Sequence, residues 1–318
     1  MKILVTGGRG FIGSRIVEIL SKDHSVYVID NYETYGLVSK QELHRLHEWR
    51  TKNWQWKNVI EIVGDVCDRG VCLKAFSHRP DIVIHLATYP RAKIVEDDPI
   101  SAVPKIIDTT TNLLWHCVKF NVQKFLYVSS SMIYGHFKDG AKEDSKTKPI
   151  NIYGEAKLAG ERFTKLFSKR HGLNYAIIRP SGVYGPGDLP DRVVTKFFEL
   201  ALQNKTITVH NGDNKIDCTY IDDAAFGIIK AAMSQVSNVS FNITNGNAVS
   251  LRDLAGKICT VSGSESDIDD TGDHPLYPTR GTLDISRARD LLGYQPETDL
   301  EQGLKNYLDW YNKWRSTV

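Results

Sequence analysis

The segment Val5-Thr6-Gly7-Gly8-Arg9-Gly10-Phe11-Ile12-Gly13 decides the fold. It continues an apolar run at residues 3–5 and opens a stretch, residues 11–20, whose apolar side chains recur at helical spacing. A second apolar run, residues 26–29, ends on Asp30-Asn31. Strand, glycine turn, helix, strand and acid is the order of a dinucleotide-binding βαβ unit. Gly7 permits the tight turn, Gly10 lets a pyrophosphate approach the backbone, and Gly13 lets helix and strand pack closely. Phe11 and Ile12 fall in the first helical turn, where free N–H groups and a partial positive charge favour phosphates. A carboxylate at Asp30, with Asn31 beside it, accepts hydrogen bonds from ribose hydroxyls and repels a 2′-phosphate, so NAD is expected rather than NADP. Without a ligand, the same residues read as a plain strand-to-helix turn.

The alternation continues outward from this unit. Apolar runs at residues 59–63, 81–86, 125–129 and 175–179 alternate with helix-length segments at 69–76, 102–120 and 153–171. That pattern gives an α/β fold, a Rossmann doubly wound parallel sheet with helices on both faces, over residues 1–180. Beyond Pro180 the texture changes. Residues 181–190 are rich in Gly and Pro, and shorter mixed elements follow. Helices are expected at 192–204, at 222–233, from 251 and twice near the end; strands near 207–210 and 240–243; a loop at 262–273. Residues 181–318 read as a smaller C-terminal α/β substrate-binding lobe, partly interleaved with the first domain. The segment 31–57, with His44, His47, Trp49, Trp54 and Trp56, reads as a loop and a helix laying its aromatics on the sheet edge; metal binding or base stacking is the other reading.

Bulk properties narrow the partners. The 318 residues are 41% hydrophobic and 25% charged with a net charge of +2, which argues for neither nucleic acid nor an anionic membrane. No run approaches the roughly 18 apolar residues of a membrane span. The amino terminus enters a strand pattern directly, and the five cysteines (67, 72, 117, 218, 259) form no disulfide or metal spacing, so a cytoplasmic protein without a metal is expected.

Further residues join the dinucleotide turn. Asp65 and Val66 end the third strand, where an Asp reaches an adenine amino group or merely closes a turn. Leu86 and Ala87 end the fourth, where small residues leave room for a cofactor, and His85 beside them reads as a packed structural residue. Tyr153 and Lys157 stand at i and i+4 on one helical face. An ammonium there lowers the phenol pKa, without which a Tyr is too weak an acid to exchange protons near neutrality. Ser129-Ser130-Ser131 follows the fifth strand, at the sheet end where α/β proteins bind ligands. A hydroxyl there can hold a substrate alcohol or ketone; a capping serine cluster is the bland alternative.

Taken together, these motifs resemble the extended short-chain dehydrogenase/reductases, in the NAD-dependent epimerase/dehydratase family of nucleotide-sugar enzymes. TGGRGFIG, HLAT, SSSMIYG, YGEAK, RPSGVYGPGD, TYIDD and LGYQP each resemble a family motif, in family order across nearly the whole chain. The resemblance implies Ser130, Tyr153 and Lys157 as the catalytic set, Ser131 as an assisting substrate contact, Lys157 also on the nicotinamide ribose, and Pro180 along the nicotinamide. It implies a nucleotide-diphosphate sugar as substrate and a homodimer formed through the helices near 102–120 and 153–171. The 4,6-dehydratases carry Asp-Glu after the catalytic hydroxyl, and the decarboxylases use a Glu in the same loop; here the residues are Ser131-Met132. The expectation is therefore a nucleotide-sugar epimerase acting at C4 through a transient 4-keto sugar, an isomerase of carbohydrate metabolism. An NAD(P)H-dependent reductase of a 4-keto sugar or another carbonyl is the alternative, and a non-catalytic NAD-binding regulator is a third.

Three positions depart from the family pattern. Its sugar-phosphate Asn falls on Gly182, its diphosphate Arg on Ile216 with Lys215 beside it, and its helix Asn on Ile106. Each lost polar contact is worth about 0.5–1.5 kcal/mol. Arg91, Lys93 and Arg280 remain as candidate substrate contacts, Arg91 and Lys93 in a loop after the fourth strand.

Overall fold

The computed structural model describes residues 1–53, 55–189, 192–272 and 274–315. The amino-terminal alternation runs β1 (Lys2–Thr6), α1 (Phe11–Leu20), β2 (Ser25–Asp30), α2 (Lys40–Asn53), β3 (Val59–Val63), α3 (Arg69–Phe76), β4 (Ile82–His85), α4 (Ala92–Asp97), α5 (Pro99–Lys119), β5 (Lys124–Val128), a 3₁₀ turn (Ser131–Tyr134), α6 (Ile152–His171) and β6 (Tyr175–Pro180). The second half runs β7 (Val183–Tyr184), α7 (Val193–Ala201), β8 (Ile207–Val209), β9 (Lys215–Ile216), β10 (Thr219–Tyr220), α8 (Ile221–Met233), β11 (Val239–Ile243), β12 (Val249–Ser250), α9 (Leu251–Ser262), β13 (Ile268–Asp270), α10 (Ser286–Leu292) and α11 (Leu300–Arg315).

The main sheet has seven strands in the order β11-β6-β5-β4-β1-β2-β3, every pair parallel. Its central strands read as short unbroken apolar runs because both faces are covered. On one face α1, α8 and α10 close a core through Ile16, Val17, Ala225, Ile228 and Ala288. On the other, α3 and α5 close a second core through Phe76, Leu113 and Leu114. Each fully buried aliphatic side chain contributes roughly 1.5–3 kcal/mol. The strand order reverses between β1 and β4, and a crevice opens at the carboxyl ends of those strands.

A third core is built mainly from α7, α9 and α11, with Phe198, Leu254, Leu304 and Tyr307, and is joined by Phe11 of α1 and Leu46 of α2. β11, from the second half, joins the main sheet as its edge strand, pairing Val239 with Ala176 through Ile243 with Pro180.

Three sequence expectations need correction. Lys93 does not lie in an open loop but within α4; Arg91, the extended N-cap of that helix, ends the loop after β4 as expected. The expected loop 262–273 contains β13, which pairs in parallel with β8 and ties down that connection. The aromatics of segment 31–57 cover the sheet only in part: Trp56 packs against the core that holds Val26 and Val28 of β2, whereas Trp49 packs against the core of α7, α9 and α11. Trp49 packs edge-on against Trp310 of α11, with ring centroids 5.5 Å apart, while Trp56 donates its indole N–H to the Ser14 carbonyl at 3.2 Å. Trp54 lies outside the described residues. No helix among the described residues is long and apolar enough to cross a membrane.

Candidate active site

A cavity of about 770 Å³ lies over the crevice, and it collects every site residue expected from the sequence. Gly7, Gly10, Phe11, Ile12 and Gly13 line it from the turn, Asp30, Asn31, Asp65 and Val66 from β2 and β3, and Leu86, Ala87, Arg91 and Lys93 beyond β4. Ser130, Ser131, Tyr153, Lys157, Pro180, Gly182 and Arg280 complete it.

The glycine turn is shaped for a diphosphate. Gly7 takes a left-handed φ of +70°, and its N–H donates to Ile29 O at 2.8 Å. A Cβ on Gly13 would stand 2.1 Å from Gly7 O, so only glycine lets α1 start against the turn. The first intrahelical bond runs from Ser14 N to Gly10 O, and the N-cap is a glycine without a side chain to cap with. The preceding N–H groups of Phe11, Ile12 and Gly13 are thus left for anionic oxygens. The Asp30 carboxylate is fixed by Arg9 N–H on Oδ2 and Tyr32 N–H on Oδ1, both at 2.9 Å. Burial pushes Asp30 upward, and the two backbone N–H groups, Arg50 and Arg9 oppose that shift. Each oxygen keeps a lone pair for a ribose hydroxyl. The residues present fit NAD.

Asp65 holds its own turn through Cys67 N–H at 2.8 Å, and Lys105 stands 3.8 Å from its other oxygen. His85 is structural: it lies between Thr6 Oγ1 (2.8 Å) and Thr110 Oγ1 (3.2 Å), and burial pushes it down to about 3, hence neutral.

The residues expected to handle protons meet where β5 and α6 converge. Asn151 caps α6 by accepting from Gly154 N–H at 2.8 Å, which fixes Tyr153 in the first turn. A Cβ at Gly154 would fall 2.8 Å from Met132 O, so the helix can start directly against the serine turn. Ser130 caps that turn through Met132 N–H at 3.2 Å. Tyr153 is 9% exposed. Burial pushes its phenol upward; a hydrogen bond with Ser130 and the Arg192 guanidinium pull it back. Lys157 lies one turn further on α6, 4.9 Å from the Tyr127 ring centroid, and burial pushes it down to about 7.

At the substrate side Arg280 Nε is buried and has no hydrogen-bond partner among the described residues. Gly182 has φ +48°, and a Cβ there would stand 2.7 Å from Asp217 O, so the segment that carries Ile216 and Asp217 packs directly on its backbone. Ile216 is buried in β9, and Lys215 does not replace the missing Arg, because its ammonium pairs with Asp139 at 2.7 Å. Ile106 packs with Met132, Tyr153 and Ala156, so an apolar contact stands where the family has Asn. Lys93 pairs with Asp97 at 2.9 Å along α4.

Sequence reasoning missed Arg50, Arg192, Tyr35 and Tyr89, all in the cavity wall. The Tyr35 and Tyr89 rings, from the segments after β2 and β4, meet with centroids 4.6 Å apart. Arg192 follows the GPGD segment closely and has a signal in that proximity; Arg50 has none.

Comparisons with known proteins agree with this geometry. A family model described as NAD dependent epimerase/dehydratase family matches residues 3–244. The chain is 31% identical to UDP-glucuronate 4-epimerase 1 of Arabidopsis thaliana over 340 residues, covering 98% of this chain and 76% of that protein. It is 27% identical to the dTDP-D-glucose 4,6-dehydratase of Mus musculus, covering 98% and 89%. The crystal structure of UDP-glucuronic acid 4-epimerase from Bacillus cereus, in complex with UDP-glucuronic acid and NAD, superposes with a TM-score of 0.90 at 28% identity, covering 99% of this chain and 100% of that one. The dinucleotide turn, the Ser130-Tyr153-Lys157 set and these matches place the chain in the NAD-dependent epimerase/dehydratase family.

Proposed function

We propose that the protein is an NAD-dependent nucleotide-sugar epimerase that inverts C4 of the sugar through a transient 4-keto sugar. One observation carries this choice within the family. Ser130, Tyr153 and Lys157 line one cavity with the dinucleotide turn, and the turn Ser131–Tyr134 beside them contains no acid. Loss of water across C5 and C6 needs a group there to remove and deliver protons; Met132 does neither and packs against Tyr153 instead.

Bound NAD supplies the hydride acceptor and donor. The remaining chemistry belongs to the chain. Tyr153 takes the proton from the sugar O4 as C4 is oxidised and returns it after the sugar has presented its other face. Ser130 holds the same oxygen and steadies the phenolate. Lys157 in its charged form favours that phenolate from one helical turn away. Its pKa of about 7 keeps both forms within reach near neutrality. Arg280 and Arg91 supply cations for the diphosphate, with Ser131, Gly182 and Lys93 completing the wall, and residues 181–318 supply the nucleotide side of the site. A homodimer through α5 and α6, which expose Ile100, Trp115 and Leu166, and a cytoplasmic setting complete the reading.

The test is incubation of the NAD-loaded protein with a panel of UDP-, dTDP-, GDP- and CDP-hexoses and uronates. Interconversion of a C4 pair without net consumption of cofactor supports the reading. Stoichiometric oxidation of added NADH or NADPH, with no epimer formed, replaces it with a reductase.

A further inference from the structure

Helix α2 carries none of the motifs, yet it sends a buried cation under the cavity. Arg50 is 1% exposed. Its Nη1 donates to Arg9 O in the dinucleotide turn at 2.6 Å. Its Nε and Nη2 both donate to Gly187 O, at 3.1 and 2.7 Å. The two carbonyls belong to opposite sides of the site. Arg9 N–H fixes Asp30, the expected ribose partner. Gly187 lies on the turn between β7 and α7, which runs on to Leu189, Arg192, Lys196 and Phe197 in the cavity wall. The next residue, Asp188, is a buried carboxylate whose Oδ1 lies 3.2 Å from Arg192 Nε, and Arg192 acts on Tyr153.

A guanidinium is a rigid planar fork with its donors in fixed directions. When it is buried, any movement of one carbonyl away from it strands a charge-bearing donor, so both carbonyls are held to one geometry. The turn that receives the dinucleotide and the loop that leads into the substrate wall therefore share a single restraint.

We propose that Arg50 is a positioning residue that couples the two halves of the site, so that a nucleotide in the substrate half slows release of NAD from the other. The identity of the two ligands rests on the proposed function; the coupling does not depend on which reaction follows. Ordering a shared restraint with one ligand lowers what the second must spend on it, and the effect is reciprocal.

The experiment follows exchange of bound NAD for isotopically labelled NAD in the holoprotein by mass spectrometry. It is run with and without a saturating nucleoside diphosphate, whichever of UDP, dTDP, CDP and GDP binds most tightly by calorimetry. In the unaltered protein the nucleotide slows exchange about tenfold, within the range of ordinary site-to-site coupling. In Arg50→Met and Arg50→Lys the slowing falls below about twofold. Lys keeps the charge and loses the fork, so it decides the matter if the Met variant does not fold by circular dichroism. Full slowing in a folded variant overturns the proposal, as does absence of slowing in the unaltered protein. The two readings fail separately: coupling lost with Arg50 in a protein that interconverts no sugar overturns the epimerase reading alone, and active variants with full coupling overturn this one alone.

Discussion

Replacing Gly13 with Ala tests how tightly the dinucleotide turn is built. The new Cβ would lie 2.1 Å from Gly7 O, 2.9 Å from Gly7 C and 3.0 Å from Gly8 Cα, all backbone atoms with no rotamer to escape into. Relieving the first contact requires roughly 1 Å of movement of α1 away from the turn, and overpacking of that kind costs about 1–3 kcal/mol. The same movement pulls the N–H groups of the first helical turn off the diphosphate. NAD affinity is therefore expected to fall between roughly five- and a hundredfold, with Tm lowered by a few degrees. Gly256→Ala is the matched control. It sits in α9 with nothing within 4 Å of the added carbon, and it is expected to stabilise the helix by roughly 0.5–1 kcal/mol. The assay is NAD content per chain after gel filtration, paired with differential scanning calorimetry. A Gly13→Ala protein that keeps wild-type NAD content and Tm would refute the reasoning.

Other outcomes follow from the same geometry. Tyr153→Phe should lower turnover by roughly 10²–10⁴-fold with NAD content unchanged; single-turnover rates within tenfold of wild type would remove Tyr153 from the proton path. Lys157 has its folded pKa pushed down to about 7 by burial from an ordinary value near 10.5. Between those values the unfolded chain binds the proton and the folded chain releases it, so stability rises with pH above about 7, by up to about 1.4 kcal/mol per unit. Lys124, pushed down to about 8, adds to the rise only at higher pH; urea titrations between about pH 7 and 8 should therefore show the slope, and Lys157→Met should flatten it. Glu161→Gln leaves Arg179 buried without its bidentate acid, now held at 2.9 and 2.8 Å, and should cost about 3–5 kcal/mol; a loss under about 1 kcal/mol by denaturant titration would show that Tyr134 and the Glu143 carbonyl satisfy the guanidinium alone.

The parts of the site legible in the sequence are those made by neighbours along the chain. The glycine turn and α1 are one continuous segment, and Tyr153 and Lys157 share a helical face by spacing alone. Asp30 was legible because the end of a strand places it. Arg50 was not, since its partners Arg9 and Gly187 come near it only when α2 packs between the glycine turn and α11. Trp49 was read with Trp56 as part of a sheet-edge layer for the same reason: periodicity shows that a face is apolar and does not name what covers it. Ile106 appeared in the sequence as a lost polar contact; in the fold it supports Met132 and Tyr153 from α5. Lys93 was legible as a basic residue near the crevice, but not its i+4 pairing with Asp97 along α4, because nothing in the sequence marks that short helix.

The place of β11 bears on how the chain is made. Six strands of the sheet are complete by residue 180, but the backbone edge of β6 stays open until residues 239–243 arrive to cover it. During synthesis some sixty residues must leave the ribosome while an apolar, fully parallel sheet offers unpaired N–H and C=O groups to any passing strand. A chain interrupted in that interval carries the dinucleotide turn and an open edge, so a truncation after residue 200 is expected to sediment as aggregate rather than yield a small NAD-binding fragment.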